Sequence, residues 1–85
     1  MQQFTFTITD PQGIHARPAG LLVKEASQFE SDISLQCNGK SGDAKRIFSV
    51  MGLSVLSGAT VTVTAEGKDE DAAIHTLELF FKENF

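Results

Sequence analysis

Twice in this chain apolar and threonine side chains alternate strictly: Phe4, Phe6 and Ile8 against Thr5, Thr7 and Thr9 over residues 3–9, and Val61, Val63 and Ala65 against Thr60, Thr62 and Thr64 over residues 60–65. Successive residues of a strand point to opposite faces, so each segment is a strand with one apolar and one polar face. A sheet of such strands buries one side only and needs apolar elements to cover it. Ile33, Leu35 and Cys37 repeat the same period, and Asn38-Gly39 after them is the strongest short hairpin signal available. A short return strand then reaches about Asp43. Asp10-Pro11-Gln12-Gly13 ends the first strand with turn residues.

Elsewhere the period lengthens. Ala16, Ala19, Val23, Ala26 and Phe29 recur every three or four positions and predict an amphipathic helix from Ala16 to about Ser27. Pro18 falls in its first turn, where a missing N–H costs little. Residues 47–53 are apolar but few, predicting one or two helical turns ending near Gly52. A last helix starts at about Glu70, with Ile74, Leu77 and Phe81 on its stripe and Asp69, Glu70 and Asp71 suited to its positive end. The order βαββαβα predicts an open-faced α+β sandwich, with a mostly antiparallel sheet covered by helices on one side. At 85 residues and 41% hydrophobic, the chain supplies one small core, hence one domain over residues 1–85.

Charge and composition narrow the function. A net charge of −4 argues against a general nucleic-acid binder, whose affinity comes from neutralising phosphates. Residues 1–48 carry five bases and five acids, whereas residues 49–85 carry two bases and six acids, which leaves the first half free to present a locally basic surface. No apolar run approaches the ~18 residues that insert into a membrane. The first residues do not begin a signal peptide, and a single cysteine makes no internal disulfide, so a cytoplasmic protein is expected. His75 has no partners at metal-ligand spacing, so neither metal nor cofactor is expected. Cys37 reads as a small core residue. Gly39-Lys40-Ser41 lacks the upstream glycine of a P-loop, Ser34 standing in that place, and reads as a turn.

One segment carries chemistry: Gly13-Ile14-His15-Ala16-Arg17-Pro18-Ala19-Gly20. A turn delivers His15 to the cap of a helix whose first N–H groups lack partners inside the helix. Those donors and the aligned peptide dipoles attract anions. Pro18 does not compete as a donor and leaves the amides of Ala16 and Arg17 free, while Arg17 adds a charged fork that matches phosphate oxygens. An imidazole nucleophile, backbone donors and a guanidinium at one helix tip suit phosphoryl transfer, which depends on positioning and charge neutralisation. The competing reading of His15 is a plain helix cap, a role that Ser, Thr, Asp and Asn fill better. No second acid–base residue stands near His15 in the sequence.

Gly13-Ile14-His15-Ala16-Arg17-Pro18-Ala19 resembles the phosphorylation-site signature of the histidine-containing phosphocarrier (HPr) family of the bacterial sugar phosphotransferase system. The likeness extends over the whole chain, through Asn38-Gly39-Lys40, the segment from Ala44-Lys45 to Leu53, and Val61-Thr62-Val63-Thr64-Ala65-Glu66-Gly67. It implies a four-stranded antiparallel sheet with three helices on one face. It implies that His15 accepts a phosphoryl group on Nδ1 from phosphorylated enzyme I, with Arg17 assisting, and passes it to a sugar-specific IIA domain. The chain is then a transfer intermediate without a reaction of its own, working as a monomer.

The same resemblance places a docking surface on the first and middle helices, at Gly20, Leu21, Lys24, Ile47, Phe48, Met51 and Gly52. An apolar patch rimmed by Arg17, Lys24, Lys45 and Arg46 suits acidic partners. Many relatives carry a regulatory serine just before the middle helix; Arg46 stands there in this chain, which implies that this control is absent or relocated. Two alternatives accompany the leading reading. One is a paralogue serving a nitrogen-regulatory or dihydroxyacetone-kinase relay; the other is a regulatory binding module in which the histidine is unused.

Overall fold

A computed structural model describes residues 1–85, which run as β1 (Gln2–Thr7), α1 (Ala16–Ala26), β2 (Asp32–Cys37), β3 (Lys40–Asp43), α2 (Ile47–Met51), β4 (Thr60–Glu66) and α3 (Glu70–Asn84). The strands form one antiparallel sheet in the order β1-β4-β2-β3. Register puts the apolar sets on one face: Phe4 pairs with Val63 and Phe6 with Val61, while Ile33 pairs with Ala65 and Leu35 with Val63. The helices cover that face, and the threonines line the other, as the alternation requires. The hairpin forms at Asn38-Gly39, both residues having positive φ, 53° and 79°, as a tight primed turn demands.

The core is one cluster. Phe81 of α3 lies at its centre, in edge-on contact with Phe4 and Phe6 of the sheet at ring-centroid distances of 5.6 and 5.7 Å. Phe85, just past α3, is also buried, 5.1 Å from the Phe81 ring.

Two helix stripes are rotated from their expected positions. In α1 the buried residues are Pro18, Ala19, Leu22 and Ala26, while Val23 is half-buried and Ala16 is exposed. In α3 they are Ala73, Leu77 and Phe81, with Ile74 half-buried. Each helix has apolar residues on both flanks of the stripe, and one residue is 100° of rotation. The sheet therefore selects which flank fits. The first strand also ends early, at Thr7. Beyond it Ile8 bonds to the Ala59 carbonyl (2.9 Å) and to the Gly58 amide (2.8 Å), and Thr9 donates its N–H to the Phe85 main-chain oxygen (2.8 Å). The chain thus leaves the ladder while its backbone groups stay paired.

Candidate functional site

The site is assembled by the turn between β1 and α1. Gly13 adopts φ 65° and packs against the loop before β4, so a Cβ there would overlap the Val55 carbonyl oxygen and approach Leu56 Cα to 2.9 Å. Asp10 closes the turn: its Oδ1 accepts the Gln12 N–H and its carbonyl accepts the Gly13 N–H, both at 2.9 Å. Ile14 is buried, and its N–H bonds to the Val55 carbonyl (3.1 Å). The residue after this anchor is His15.

His15 occupies the N-cap of α1 in extended conformation (φ −98°, ψ 175°), and its side chain caps nothing. Its carbonyl begins the helix by accepting the Ala19 N–H (3.0 Å). Ala16 and Arg17 have no acceptor for their amides, Pro18 has no amide, and the first turn contains no acid. Arg17 is exposed. The helix tip therefore presents two unpaired donors and a guanidinium beside an imidazole, with no acid in the helix's own first turn.

Three residues join the site that sequence spacing did not bring to it. Asp10 Oδ2 lies 3.6 Å from His15 Nε2, and Glu83 and Asn84 from the end of α3 line the same shallow concavity of about 260 Å³, with Asp10, His15, Arg17 and Leu21. An acid–base partner is thus present in space, although none was expected near His15 in the sequence. The Asp-Pro-Gln-Gly turn was its signal, because a turn carboxylate five residues upstream folds back toward the helix start. Glu83 and Asn84 left no local signal. A larger groove of about 590 Å³ lies elsewhere, lined by Asp32, Asp43, Glu66 and Lys45 among others. Its excess of carboxylates repels phosphate.

The expected docking residues form one surface where α1 meets α2. Gly20, Lys24 and Gly52 are exposed, Leu21 is 47% exposed, and Phe48 is 88% exposed although it is an aromatic residue on a five-residue helix. Met51 is partly exposed, whereas Ile47 is half-buried against the core and Val50 anchors α2. Lys45 is less free than a rim cation, since its ammonium donates to the Phe29 carbonyl at 2.7 Å. Arg46 is exposed at the N-cap of α2 and makes no side-chain cap.

Fold and site together define a small α+β domain with a partly exposed imidazole, two unpaired amides and a guanidinium at the start of one helix. The family described as the PTS HPr component phosphorylation site matches residues 2–83. A phosphocarrier protein HPr of Buchnera aphidicola is 46% identical over 83 residues, covering 98% of each chain. A solved histidine-containing phosphocarrier protein of Mycoplasma superposes with a TM-score of 0.94 at 40% identity, covering 96% of this chain and 93% of that one. A solved HPr dimer from Thermoanaerobacter tengcongensis gives a TM-score of 0.78 at 40% identity, covering 98% of this chain and 95% of that one. The chain belongs to the HPr family of phosphocarriers of the phosphotransferase system.

Proposed function

We propose that this chain takes a phosphoryl group onto His15 Nδ1 from phosphorylated enzyme I and delivers it to sugar-specific IIA domains during sugar uptake. The observation that carries the reading is the open tip of α1, where an imidazole that caps nothing stands beside the unpaired amides of Ala16 and Arg17 and the Arg17 guanidinium. In transfer the Nδ1 lone pair attacks phosphorus in line with the donor bond, which breaks with its electrons returning to the donor. The charge on the phosphoryl oxygens is met by the two amides and by Arg17. A half-exposed site with one arginine binds the group without retaining it, as a carrier requires. Docking occurs through Leu21, Lys24, Phe48 and Met51, with the exposed cations attracting acidic partners. The chain closes its own core, which supports a monomeric carrier; a dimer by light scattering at working concentration would reverse that assignment.

Incubation with enzyme I, Mg²⁺ and labelled phosphoenolpyruvate tests the reading. Acid-labile, base-stable label is expected on the wild type and none on His15→Ala. An unlabelled wild type, with enzyme I active on a control carrier, would refute it.

A further inference from the structure

We infer that Asp10 is a positioning residue for His15, holding the imidazole with its proton on Nε2 and stabilising the cation that forms when Nδ1 takes the phosphoryl group; this rests on the carrier function proposed above. Asp10 is fixed from several directions. Its N–H donates to the Phe85 main-chain oxygen (3.0 Å), its carbonyl accepts the Gly13 N–H, and its Oδ1 accepts the Gln12 N–H. Phe85 is itself held by the core and also receives the Thr9 N–H and hydroxyl, at 2.8 and 2.7 Å. With one carboxylate oxygen occupied by the turn, the other, Oδ2, faces His15 Nε2 at 3.6 Å. That separation is too long for a hydrogen bond in the resting state but close for a charge pair. Both side chains are about two-thirds shielded, at 36% and 26% exposure, so solvent screens them less than a fully exposed pair.

The other charged groups on this concavity are Arg17 on α1 and Glu83 on α3. Arg17 is the partner of the incoming phosphoryl oxygens, and Asp10 is the carboxylate in direct contact with the ring.

The chemistry assigns Asp10 a defined task. A carboxylate facing one ring nitrogen favours the tautomer with hydrogen on that nitrogen, leaving the other with a lone pair. Here hydrogen on Nε2 makes Nδ1 the nucleophile. As Nδ1 attacks, the P–Nδ1 bond forms and the donor bond breaks, the donor keeping the electron pair. No proton moves, and the ring becomes an imidazolium whose Nε2–H points at Asp10. On delivery the P–Nδ1 electrons return to Nδ1 and the ring departs as neutral imidazole. Loss of the Nε2 proton beforehand would force it to leave as imidazolate, a much poorer leaving group. Asp10 therefore favours loading through its charge, and serves unloading by keeping the Nε2 proton in place so that the ring leaves neutral.

The test separates this task from the turn. Asp10→Asn keeps an oxygen for the Gln12 N–H and removes the charge, whereas Asp10→Ala removes both. Imidazole ¹⁵N NMR of the unphosphorylated chain should show the Nε2–H tautomer dominant in the wild type and reduced in Asp10→Asn. Phosphoryl acceptance by Asp10→Asn should slow about 2- to 5-fold, the scale of a partly shielded charge pair. A wild-type tautomer balance and rate in Asp10→Asn would overturn the inference, even if Asp10→Ala were slow, and would leave Asp10 as a turn residue alone. If the wild-type chain accepts no phosphoryl group, the carrier reading falls with the stabilising role, while the tautomer comparison still decides whether Asp10 orients the ring.

Discussion

The N-termini of α1 and α3 lie near opposite ends of the sheet and are treated in opposite ways. At α3 the positive helix end is surrounded by anions: Asp69 at the cap, with Glu70 and Asp71 in the first turn. Asp69 turns away from its own helix and accepts the Ser31 hydroxyl, the Ser31 N–H (2.9 Å) and the Glu30 N–H (2.9 Å), while Glu70 accepts the Gly67 N–H at 3.1 Å. These bonds tie the segment before β2 to the start of α3. At α1 there is no acid and no side-chain cap, and two amides face outward unpaired. A conventional cap there would be worth ~0.5–2 kcal/mol. Neither helix gains a side-chain cap bond; the difference is charge, since the fold leaves the positive end of α1 without an acid of its own and gathers three at that of α3.

The largest effect is expected from the turn that builds the open tip. Gly13→Ala forces a side chain into positive φ and against the Val55 carbonyl. It should cost about 3 kcal/mol or more by urea denaturation and slow phosphoryl acceptance, because Asp10 and His15 are set by this turn.

Next comes the closed tip. Ser31 is 1% exposed, and Ser31→Ala removes a hydrogen bond to a charged group, which should cost about 1.5–3 kcal/mol with transfer from enzyme I unchanged. A slowed carrier at full folding would show that the two ends are coupled. The hydrogen bond from the Ser31 hydroxyl, followed by that from the Glu30 amide, holds the Asp69 carboxyl below its ordinary range. A carboxyl depressed on folding stabilises the protein at pH above its unfolded value, near ~4, and that stability is lost as pH falls through the lowered folded value. Urea midpoints from pH 7 to 2 should fall steeply at the acid end in the wild type and more gently in Asp69→Asn.

Phe48→Ala probes the surface beside the open tip. Because Phe48 makes so little contact with its own chain, stability should stay within ~0.5 kcal/mol while transfer from enzyme I weakens about 5- to 30-fold. Unchanged transfer kinetics would remove Phe48 from the docking surface.

The sharpest test of the contrast comes from Ala16→Asp. Placing an acid in the first turn of α1 copies the α3 arrangement. It should stabilise the fold by about 0.3–1 kcal/mol while slowing phosphoryl acceptance, since the tip then carries its own anion. Stabilisation with an unimpaired rate would mean that the helix end contributes nothing to catalysis.

Much of this was legible in the chain because the patterns are local. The period-two runs fixed which strand faces are buried, Asn38-Gly39 fixed the hairpin, and the Gly13–Ala19 signature marked His15 at the start of its helix. The helix faces were less legible. Leu22 is core where Val23 was expected, and Ala73 leads the α3 stripe in place of Ile74. Neighbouring apolar residues differ little in hydrophobicity, so only the shape of the sheet and of the adjoining helices decides between them. Asp69 read as an ordinary helix-start acid, and nothing in its spacing announced that it would bond to Ser31, 38 residues earlier.

Which groups gather at the start of α1 was settled within a few residues of chain: a histidine, an arginine and free amides. Their identities are covalent, and their spacing is shorter than a helical turn. What surrounds them depended on how distant elements pack. Asp10 reaches His15 because Phe85, at the far end of the chain, is buried beside Phe81 and presents its main-chain oxygen to the turn. Such a contact depends on packing between elements separated by most of the chain, and packing is settled only when the core closes.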